Sequence, residues 1–419
     1  MTASIPNRYC YEDSVARMLT EPHLASLVQF SIPRLDLRFF DILAEDGFDL
    51  EVFSLKRYLG YMMVELYGLH LTIDLLNTLK VTEGLDQPRT AHEILEMRGF
   101  GKSFEVPLRW LLKRLAEAGL LATKTGDGEC TYQLGAALPQ TRLDWLRTEL
   151  LNLDSDFSAT VNFLDAAASL YPQIAEQQIS GEAALLGKFK LWADYFSNSN
   201  PHYAPNNLAS AVVAANCLRP EGNRILEVGA GLGSATEFLL KTLKQRDRLA
   251  AISDMQVTDS VAFFCRLLQR NFESTYSNLP LTFRDFDINR PWAAQRCRPQ
   301  QWDLVWGVNV FHLAQDLDFT LREAFEALTP GGWLVIGECI RRYSGEPITM
   351  EIVFQILRSF VDVKIDPQTR PTHGFLTLEQ WSSALTRAGF VSIKVVPDLA
   401  RLSELMPPFN LGAVCGRRS

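Results

Sequence analysis

One carboxylate and three glycines at a regular spacing form the pattern in this chain that most clearly predicts a ligand site. Glu227 lies within a short, mostly apolar run at 225–228, and Gly229, Gly231 and Gly233 follow at alternate positions. A strand that turns through glycines into a helix lets backbone amides and a helix N-terminus approach a ligand closely. A carboxylate beside such a turn would repel a pyrophosphate, but it could accept hydrogen bonds from the ammonium of an amino-acid ligand. The spacing also departs from the Gly-x-Gly-x-x-Gly of dinucleotide sites.

Two ionisable residues, His312 and Glu338, follow consecutive predicted strands just past their carboxyl ends. Adjacent parallel strands lie about 5 Å apart, so a carboxylate on one strand can reach an imidazole beside the other. A carboxylate on one ring nitrogen fixes the tautomer and raises the basicity of the ring, which leaves the other nitrogen to take a proton. The pair therefore predicts a general base, with His312 as the base and Glu338 as the residue that orients it.

Four more residues lie where other predicted strands end, at the edge where ligands of open α/β sheets bind. Asp259 could accept hydrogen bonds from two ribose hydroxyls, and it could also cap the helix that follows. Phe286 and Asp287 could sandwich an adenine and accept from its exocyclic amine, although the same residues fit a plain turn. Asn309 stands where a contact to the amino-acid part of the ligand would fall.

The sheet that must position these residues is predicted from alternating strand and helix patterns in the second half of the chain. Its predicted core strands are 224–228, 255–258, 281–286, 303–308 and 333–337. Two further strands, 391–396 and 411–415, have little room for a helical crossover between them, which favours antiparallel pairing. The prediction is an α/β domain over 196–419 whose last two strands form an antiparallel pair.

Residues 1–195 are predicted to form a separate and mainly helical domain. Two helices and two strands, at 91–97, 105–118, 120–125 and 129–134, surround a turn signal at 126–128 and together suggest a winged helix. The second helix mixes basic and acidic residues, and the protein as a whole is acidic. A packing or substrate-covering role for this lid domain is therefore favoured over DNA binding.

Composition excludes several classes of partner. The chain has 419 residues with 47% hydrophobic and 21% charged residues, typical of a globular protein large enough for two cores. A net charge of −8 argues against a nucleic-acid partner held by phosphate neutralisation. No apolar run approaches the length of a transmembrane helix, and the first residues do not resemble a signal peptide, so no membrane partner is expected. Seven scattered cysteines predict free thiols in a reducing cytoplasm, and neither cysteines nor histidines have metal-ligand spacing.

Three segments carry a resemblance to a known family. Leu-Glu-Val-Gly-Ala-Gly-Leu-Gly at 226–233 resembles motif I of class I S-adenosylmethionine (SAM) methyltransferases. Trp-Asp-Leu-Val at 302–305 with Asn-Val-Phe-His at 309–312, and Leu-Thr-Pro-Gly-Gly at 328–332 with Glu338, are similar to the methyltransferase domains of polyketide synthases, especially the C-methylating ones. The resemblance is specific over roughly residues 200–340.

The resemblance implies a Rossmann-like sheet of seven strands with an antiparallel last hairpin, SAM as cofactor, and His312 with Glu338 as a catalytic dyad. Tyr203, in the Tyr-x-Pro-Asn-Asn stretch at 203–207, is similar to part of the family's N-terminal lid. The predicted cofactor contacts are Glu227, Gly229, Gly231, Gly233, Asp259, Phe286, Asp287, Asn309 and Tyr203. One departure is Thr258-Asp259-Ser260, which is one residue shorter than the family's usual Thr-Asp-Ile-Ser and weakens the assignment of the ribose acid.

The expected function is methyl transfer from SAM to an activated carbon or a hydroxyl of a polyketide-like intermediate, by a free-standing enzyme that acts on a small-molecule or carrier-bound acyl substrate. An amine or a thiolate acceptor would have less need of the predicted base. One alternative is a dimeric O-methyltransferase of small phenols, and a homodimer is possible in either case. The other alternative is a SAM-sensing regulator whose wing binds DNA.

Overall fold

The computed structural model describes residues 38–48, 52–126, 129–406 and 408–419. Residues 1–37 of the predicted N-terminal domain, Cys10 among them, and the predicted hairpin turn at 127–128 lie outside this set. By packing, the described residues form two units, of which the first consists of Phe53–Trp192 and Pro347–Arg358 and the second of all the others. The predicted boundary after residue 195 stays a prediction. Each unit contains one segment that is remote in sequence from the rest of it: Pro347–Arg358 belongs to the first unit, and the described residues before Phe53 belong to the second.

Helix α1 (Arg38–Glu45) belongs to the second unit, where Phe39 packs edge-to-face on Phe409 with ring centroids 5.3 Å apart. Helices then dominate the first unit, and this mainly helical character confirms the prediction. Its elements are α2 (Leu55–Thr78), β1 (Arg89–Thr90), α3 (Ala91–Arg98), α4 (Glu105–Glu117), β2 (Leu121–Gly126), β3 (Glu129–Leu134), α5 (Leu143–Leu153), α6 (Ser158–Ala168), α7 (Tyr171–Ala175), α8 (Gly181–Leu186) and, at its edge, α9 (Phe189–Tyr195).

A small antiparallel sheet flanks the helix pair α3 and α4 in the sequence, with strand order β1-β3-β2. Helix α3 begins at a capping box, in which Thr90 and Glu93 each bond the other's backbone amide, and it ends at Gly99 with φ 67°. Helix α4 buries the leucines at 108, 111, 112 and 115 as its spacing predicts. The two helices and the hairpin lie within two residues of their predicted bounds, while the classification as a winged helix stays a prediction.

The second unit is built on a seven-stranded sheet. Its elements are α10 (Ala204–Cys217), β4 (Asn223–Glu227), α11 (Ser234–Gln245), β5 (Ile252–Asp259), α12 (Ala262–Thr275), β6 (Leu281–Asp285), β7 (Trp302–Val308), α13 (Leu317–Ala327) and β8 (Leu328–Cys339), and, after α14 (Glu351–Phe354) of the first unit, α15 (Arg358–Val361), α16 (Leu378–Ala388), β9 (Phe390–Val396), α17 (Leu399–Leu405) and β10 (Leu411–Arg418).

The strand order of this sheet is β6-β5-β4-β7-β8-β10-β9. The strands from β6 to β8 pair in parallel, and β10 pairs antiparallel with both β8 and β9. This confirms the predicted seven-stranded sheet with an antiparallel last pair. The strand order reverses between β4 and β7, so the carboxyl ends of these two strands form the switch point where ligands of such sheets bind.

Two predicted details of the sheet are wrong. Strand β8 begins at Leu328 rather than at 333, because residues 329–332 form a bulge in which pairing steps from Leu328 opposite Trp302 to Trp333 opposite Leu304. Between β9 and β10 the seven-residue helix α17 fits where no helix was expected. The strands nevertheless pair antiparallel, because a connection with so short a helix places β10 directly beside β9.

The main core of the second unit lies between the sheet and α13 and α16, and it is built around Trp292, Trp302, Phe311 and Trp381. Helix α10 packs on β8, β7 and β10. Gly337 of β8 permits this approach, because a Cβ there would lie 2.6 Å from the Cβ of Ser210. Among the helices of the described residues, none is both long and apolar enough to cross a membrane.

Candidate active site

The glycine turn after β4 lies at the switch point of the sheet. Gly229, Gly231 and Gly233 all have left-handed backbones, with φ of 65°, 53° and 82°. A Cβ at Gly229 would lie 2.4 Å from Val310, and one at Gly233 would lie 2.5 Å from Leu268, whereas nothing lies within 4 Å of a Cβ at Gly231. Packing therefore requires the outer two glycines, and the middle one faces open space that a ligand can enter.

Glu227 is a buried carboxylate beside this turn, with 1% of its surface exposed. Its Oε2 accepts a hydrogen bond from the Thr236 hydroxyl at 2.7 Å. Burial raises the pKa of Glu227 to about 8; the bond from Thr236 opposes that rise and the charge of Asp259 adds to it. A buried carboxylate is stabilised by a positive partner, so this position fits the ammonium of an amino-acid ligand.

Asp259 ends β5 and holds the glycine turn against it. Its Oδ2 accepts from the amide of Gly231 at 2.9 Å, and its Oδ1 accepts from the amide of Val261 at 2.8 Å. Burial raises the pKa of this carboxyl, and both backbone bonds oppose the rise. The alternative role as helix cap is wrong, because Val261 is the N-cap residue of α12 and no side chain caps that helix. Each oxygen keeps a second lone pair for a ribose hydroxyl.

Phe286 and Asp287 follow β6 as predicted, but their contacts are those of a packed turn. The Phe286 ring is 2% exposed and packs edge-to-face on Trp292 at 5.0 Å. Asp287 accepts from the amide of Asn289 through Oδ1 at 2.9 Å, which closes a local turn. Contact of this pair with an adenine stays a prediction.

A residue that the sequence did not single out, Asn206, joins the start of α10 to the end of β7. Its Nδ2 donates to Asn309 Oδ1 at 2.8 Å, and the side chains of Asn309 and Tyr203 are also hydrogen-bonded. The buried Oδ1 of Asn206 has no hydrogen-bond partner within the part of the chain that the structure describes. An acceptor buried without a donor is costly, so a donor on a ligand fits here. The signal that could have identified Asn206 is Pro205, which marks the first turn of a helix.

The phenol of Tyr203 interacts electrostatically with both Glu227 and Glu338. Burial raises the pKa of its phenol, the bond to Asn309 opposes the rise, and the charges of Glu338 and Glu227 add to it. The phenol is therefore within electrostatic range of the carboxylate at each end of the site. Contact of Tyr203, Asn309 and Glu227 with one cofactor stays a prediction.

His312 and Glu338 form a buried hydrogen-bonded pair. His312 lies in the single turn Phe311–Leu313 after β7, and Glu338 lies near the end of the adjacent strand β8. The distance from His312 Nδ1 to Glu338 Oε2 is 2.7 Å, and Glu338 Oε1 also accepts from the backbone amide of His312 at 3.2 Å. The two residues are 4% and 0% exposed. Glu338 thus holds both the ring and the backbone of His312, and Nε2 has no hydrogen-bond partner among the described residues.

Aromatic rings cover the imidazole. The ring centroid of Phe375 lies 4.5 Å from that of His312, and Phe360 lies edge-to-face at 5.7 Å. Such surroundings exclude water and strengthen the bond between His312 and Glu338. No group of three or more His, Cys, Asp or Glu side chains within the described ranges could hold a metal ion.

Comparison with known proteins identifies the domain and the fold. Residues 226–334, from β4 to β8, match the family described as "Methyltransferase domain". Residues 226–334 thus carry a methyltransferase domain of the SAM-dependent class.

Sequence relatives of this chain include polyketide synthases. The polyketide synthase component of lovastatin nonaketide synthase from Aspergillus terreus is 25% identical over 278 residues, covering 61% of this chain and 9% of that protein. The highly reducing polyketide synthase valA of Aspergillus terreus is 29% identical over 267 residues, covering 62% of this chain and 10% of that protein. The hybrid PKS-NRPS synthetase thnA of Trichoderma harzianum is 28% identical over 221 residues, covering 52% and 5%. The chain thus spans 5% to 10% of the length of these relatives.

Two solved structures are similar to nearly the whole chain. The CurJ carbon methyltransferase superimposes with a TM-score of 0.69 at 21% identity, covering 97% of this chain and 98% of that one. The CMeT domain of the citrinin polyketide synthase has a TM-score of 0.67 at 16% identity, covering 96% and 98%. At these identities the likeness establishes the fold, a class I methyltransferase sheet with a helical N-terminal region.

Proposed function

We propose that the protein transfers a methyl group from SAM to an activated carbon of a polyketide-like acyl substrate, with His312 as the general base and Glu338 as the residue that orients it. The observation that carries the proposal is the buried hydrogen bond of 2.7 Å between these two residues. They lie at the ends of adjacent strands, at the edge of the sheet that also holds the glycine turn, where base, cofactor and acceptor can meet.

The residues around the glycine turn fit SAM. Glu227 offers a buried carboxylate to the ammonium of the amino-acid part, Gly231 leaves room for close approach, and Asp259 has lone pairs for the ribose hydroxyls. Asn206 Oδ1 still needs a donor. When bound, SAM supplies a methyl group on a positively charged sulfur, which makes that carbon electrophilic.

His312 can act as the base that removes a proton from the acceptor. Because Glu338 accepts from Nδ1–H, the neutral ring carries its lone pair on Nε2, which can take a proton from the acceptor. The imidazolium formed is then stabilised by the carboxylate of Glu338. A carbon between two carbonyls and a hydroxyl both need such deprotonation, whereas an amine or a thiolate needs it less. The arrangement therefore favours carbon or oxygen as the acceptor.

Two observations support carbon over oxygen. Phe360 and Phe375 line the base with apolar surface, which suits an alkyl chain next to the reacting carbon. Two structural neighbours that share the fold are carbon methyltransferases, CurJ and DszA. The acceptor we propose is the carbon between the carbonyls of a 3-ketoacyl thioester, carried by a small thiol or by a carrier protein.

The test uses the purified protein and SAM with a deuterated methyl group. Three acceptors are offered: a 3-ketoacyl thioester of pantetheine, the matching 3-hydroxyacyl thioester, and a simple phenol. We expect labelled methyl on the carbon between the carbonyls of the first, located by tandem mass spectrometry. Label on oxygen would replace carbon by oxygen as the acceptor atom, and activity on the phenol alone would favour the dimeric O-methyltransferase.

The carrier is tested by presenting the same 3-ketoacyl group on pantetheine and on an acyl carrier protein. A higher kcat/KM for the protein-bound chain would assign a carrier-bound substrate, and equal values would assign a free thioester. Light scattering of the active sample gives the oligomeric state, because the phenol O-methyltransferase alternative requires a dimer.

A further inference from the structure

A buried arginine binds the backbone of the proposed base. Arg370 is 1% exposed, and its two terminal nitrogens donate to the carbonyls of His312 and Ala314. The turn's own hydrogen bonds run from Leu313 to Val310 and from Ala314 to Phe311, so they do not use these two carbonyls. One planar guanidinium therefore fixes the chain on both sides of Leu313.

The guanidinium is itself held in place by a tight hairpin. Asp366 and Arg370 exchange two backbone hydrogen bonds of 2.9 and 2.8 Å. Arg387 of α16 pairs with Asp366 at 3.2 Å and with Asp318 of α13 at 3.2 Å, which anchors the hairpin to two helices. Arg370 thus connects the base to helices α13 and α16, which pack on the sheet over the main core.

Three groups of His312 are held at once. Glu338 accepts from its backbone amide and from Nδ1, and Arg370 donates to its carbonyl. Because the amide, the ring and the carbonyl all have partners, the direction of Nε2 is determined by Glu338 on one side and by Arg370 on the other.

Burial of the Arg370 guanidinium is unfavourable in free energy. Its Nε is buried and has no hydrogen-bond partner among the described residues. Burial lowers the pKa of Arg370 to about 10, the charge of Glu338 opposes that change, and Arg341 adds to it. The side chain is therefore still a cation at neutral pH. A neutral amide could hold one carbonyl, but only a guanidinium can hold two carbonyls in this rigid fork.

We propose that Arg370 is a positioning residue for methyl transfer: by holding the carbonyls of His312 and Ala314, it determines where Nε2 points relative to the acceptor. The inference rests on the proposed role of His312 as base. Arg370 makes no hydrogen bond to Glu227, Asp259 or the glycine turn. Its effect should consequently fall on the rate and not on cofactor affinity.

The test compares Arg370→Met and Arg370→Lys with a matched control, Arg248→Met. Arg248 also donates to three carbonyls, those of Ala215, Leu218 and Arg219, but it lies before the start of β5, at the edge of the sheet away from the site. We expect Arg370→Met to lower kcat about 100-fold, since a small displacement of a catalytic group has effects of that order. Lysine keeps the charge without the fork and should give an intermediate kcat.

Cofactor affinity and folding are measured on the same samples. Calorimetry with S-adenosylhomocysteine (SAH) should give an unchanged Kd for both Arg370 variants, and Arg248→Met should keep both Kd and kcat. Thermal unfolding reports the loss of stability in each variant. If Arg370→Met does not fold, Arg370→Lys decides the matter, because a wild-type kcat in that variant would overturn the inference.

A double variant separates this inference from the function on which it rests. If Arg370 acts through the base, His312→Ala with Arg370→Met should be as slow as His312→Ala alone. A further loss in the double variant, or a weaker SAH affinity in proportion to the lost rate, would show that Arg370 acts elsewhere. A His312→Ala variant with wild-type turnover would instead disprove the base, whatever Arg370 does.

Discussion

The two ends of the site differ in how their polar groups are satisfied. At the cofactor end (Glu227, the turn 229–233, Asp259 and Asn206), a buried carboxylate has a single hydroxyl partner and the Asn206 amide oxygen has none among the described residues. At the base end (His312, Glu338 and Arg370), the ring, the amide and the carbonyl of the histidine are all bonded.

This difference predicts a division of roles. The cofactor end gains its missing partners when a ligand binds, so changes there should alter affinity. The base end is organised before any ligand arrives, so changes there should alter the rate of the chemical step at constant affinity. Variants at the two ends of the site test this division.

The largest effect is expected for His312→Ala. Loss of a general base lowers kcat by about 100-fold to 10,000-fold, while the Kd of SAH should not change. Steady-state kinetics at saturating SAM and calorimetry with SAH measure the two quantities. A variant that loses affinity as well as rate would show that the two ends are not separate.

Glu338→Gln should give the next largest loss of kcat, about 100-fold. The amide keeps the size of the side chain but removes the charge that stabilises the protonated ring and orients its tautomer. Single-turnover rates with the 3-ketoacyl thioester measure the chemical step directly. A rate equal to that of wild type would mean that the carboxylate has only a structural role.

At the cofactor end, Gly231→Ala should raise the Kd of SAH about 10-fold or more, with a much smaller effect on kcat at saturation. The new methyl group enters the space that the ligand needs, on a backbone with φ 53°. Gly222→Ala is the matched control, because Gly222 has φ 73° and also nothing within 4 Å of its Cβ position. Both changes should cost about 1 kcal/mol of stability, and only the first should weaken binding.

Binding of SAH should release a proton from Glu227. Its pKa is raised to about 8, so at pH 7 the free protein is mostly protonated there, and a bound ammonium favours the charged form. Affinity should therefore rise with pH, by up to about tenfold per pH unit below pH 8. Calorimetry in two buffers of different ionisation enthalpy counts the proton. Glu227→Gln should abolish the release, and a release that persists in that variant would assign it to another group.

The smallest effect is expected for Asn206→Ala, a rise in the Kd of SAH of about fivefold, which corresponds to one hydrogen bond. Asn216→Ala is the control, because Asn216 lies on the same helix but at its other end, where it accepts from Arg246 at 2.7 Å. Equal Kd values for the two variants would remove Asn206 from the cofactor end.

The cofactor end was easier to predict than the base end because of chain distance. Glu227 and the three glycines stand within seven residues, and a strand–turn–helix leaves few ways to arrange them. His312 and Glu338 were found because each follows a strand and adjacent strands end at one edge. Arg370 was missed because it lies in a hairpin 58 residues after the histidine whose carbonyl it binds, and no local pattern records that contact.

The sequence alone determined the fold class, the order of strands and helices in the second half, the glycine turn and the pairing of one histidine with one glutamate. These follow from residue spacing, since periodicity and turn chemistry act over a few neighbours. Only the tertiary structure decided that Phe286 is packed in the core, that Asn206 joins Asn309 and that a buried arginine holds the base. The bonds of Asn206 and Arg370 join residues far apart in the chain, and the core around Phe286 forms only when the packing of the sheet brings its elements together.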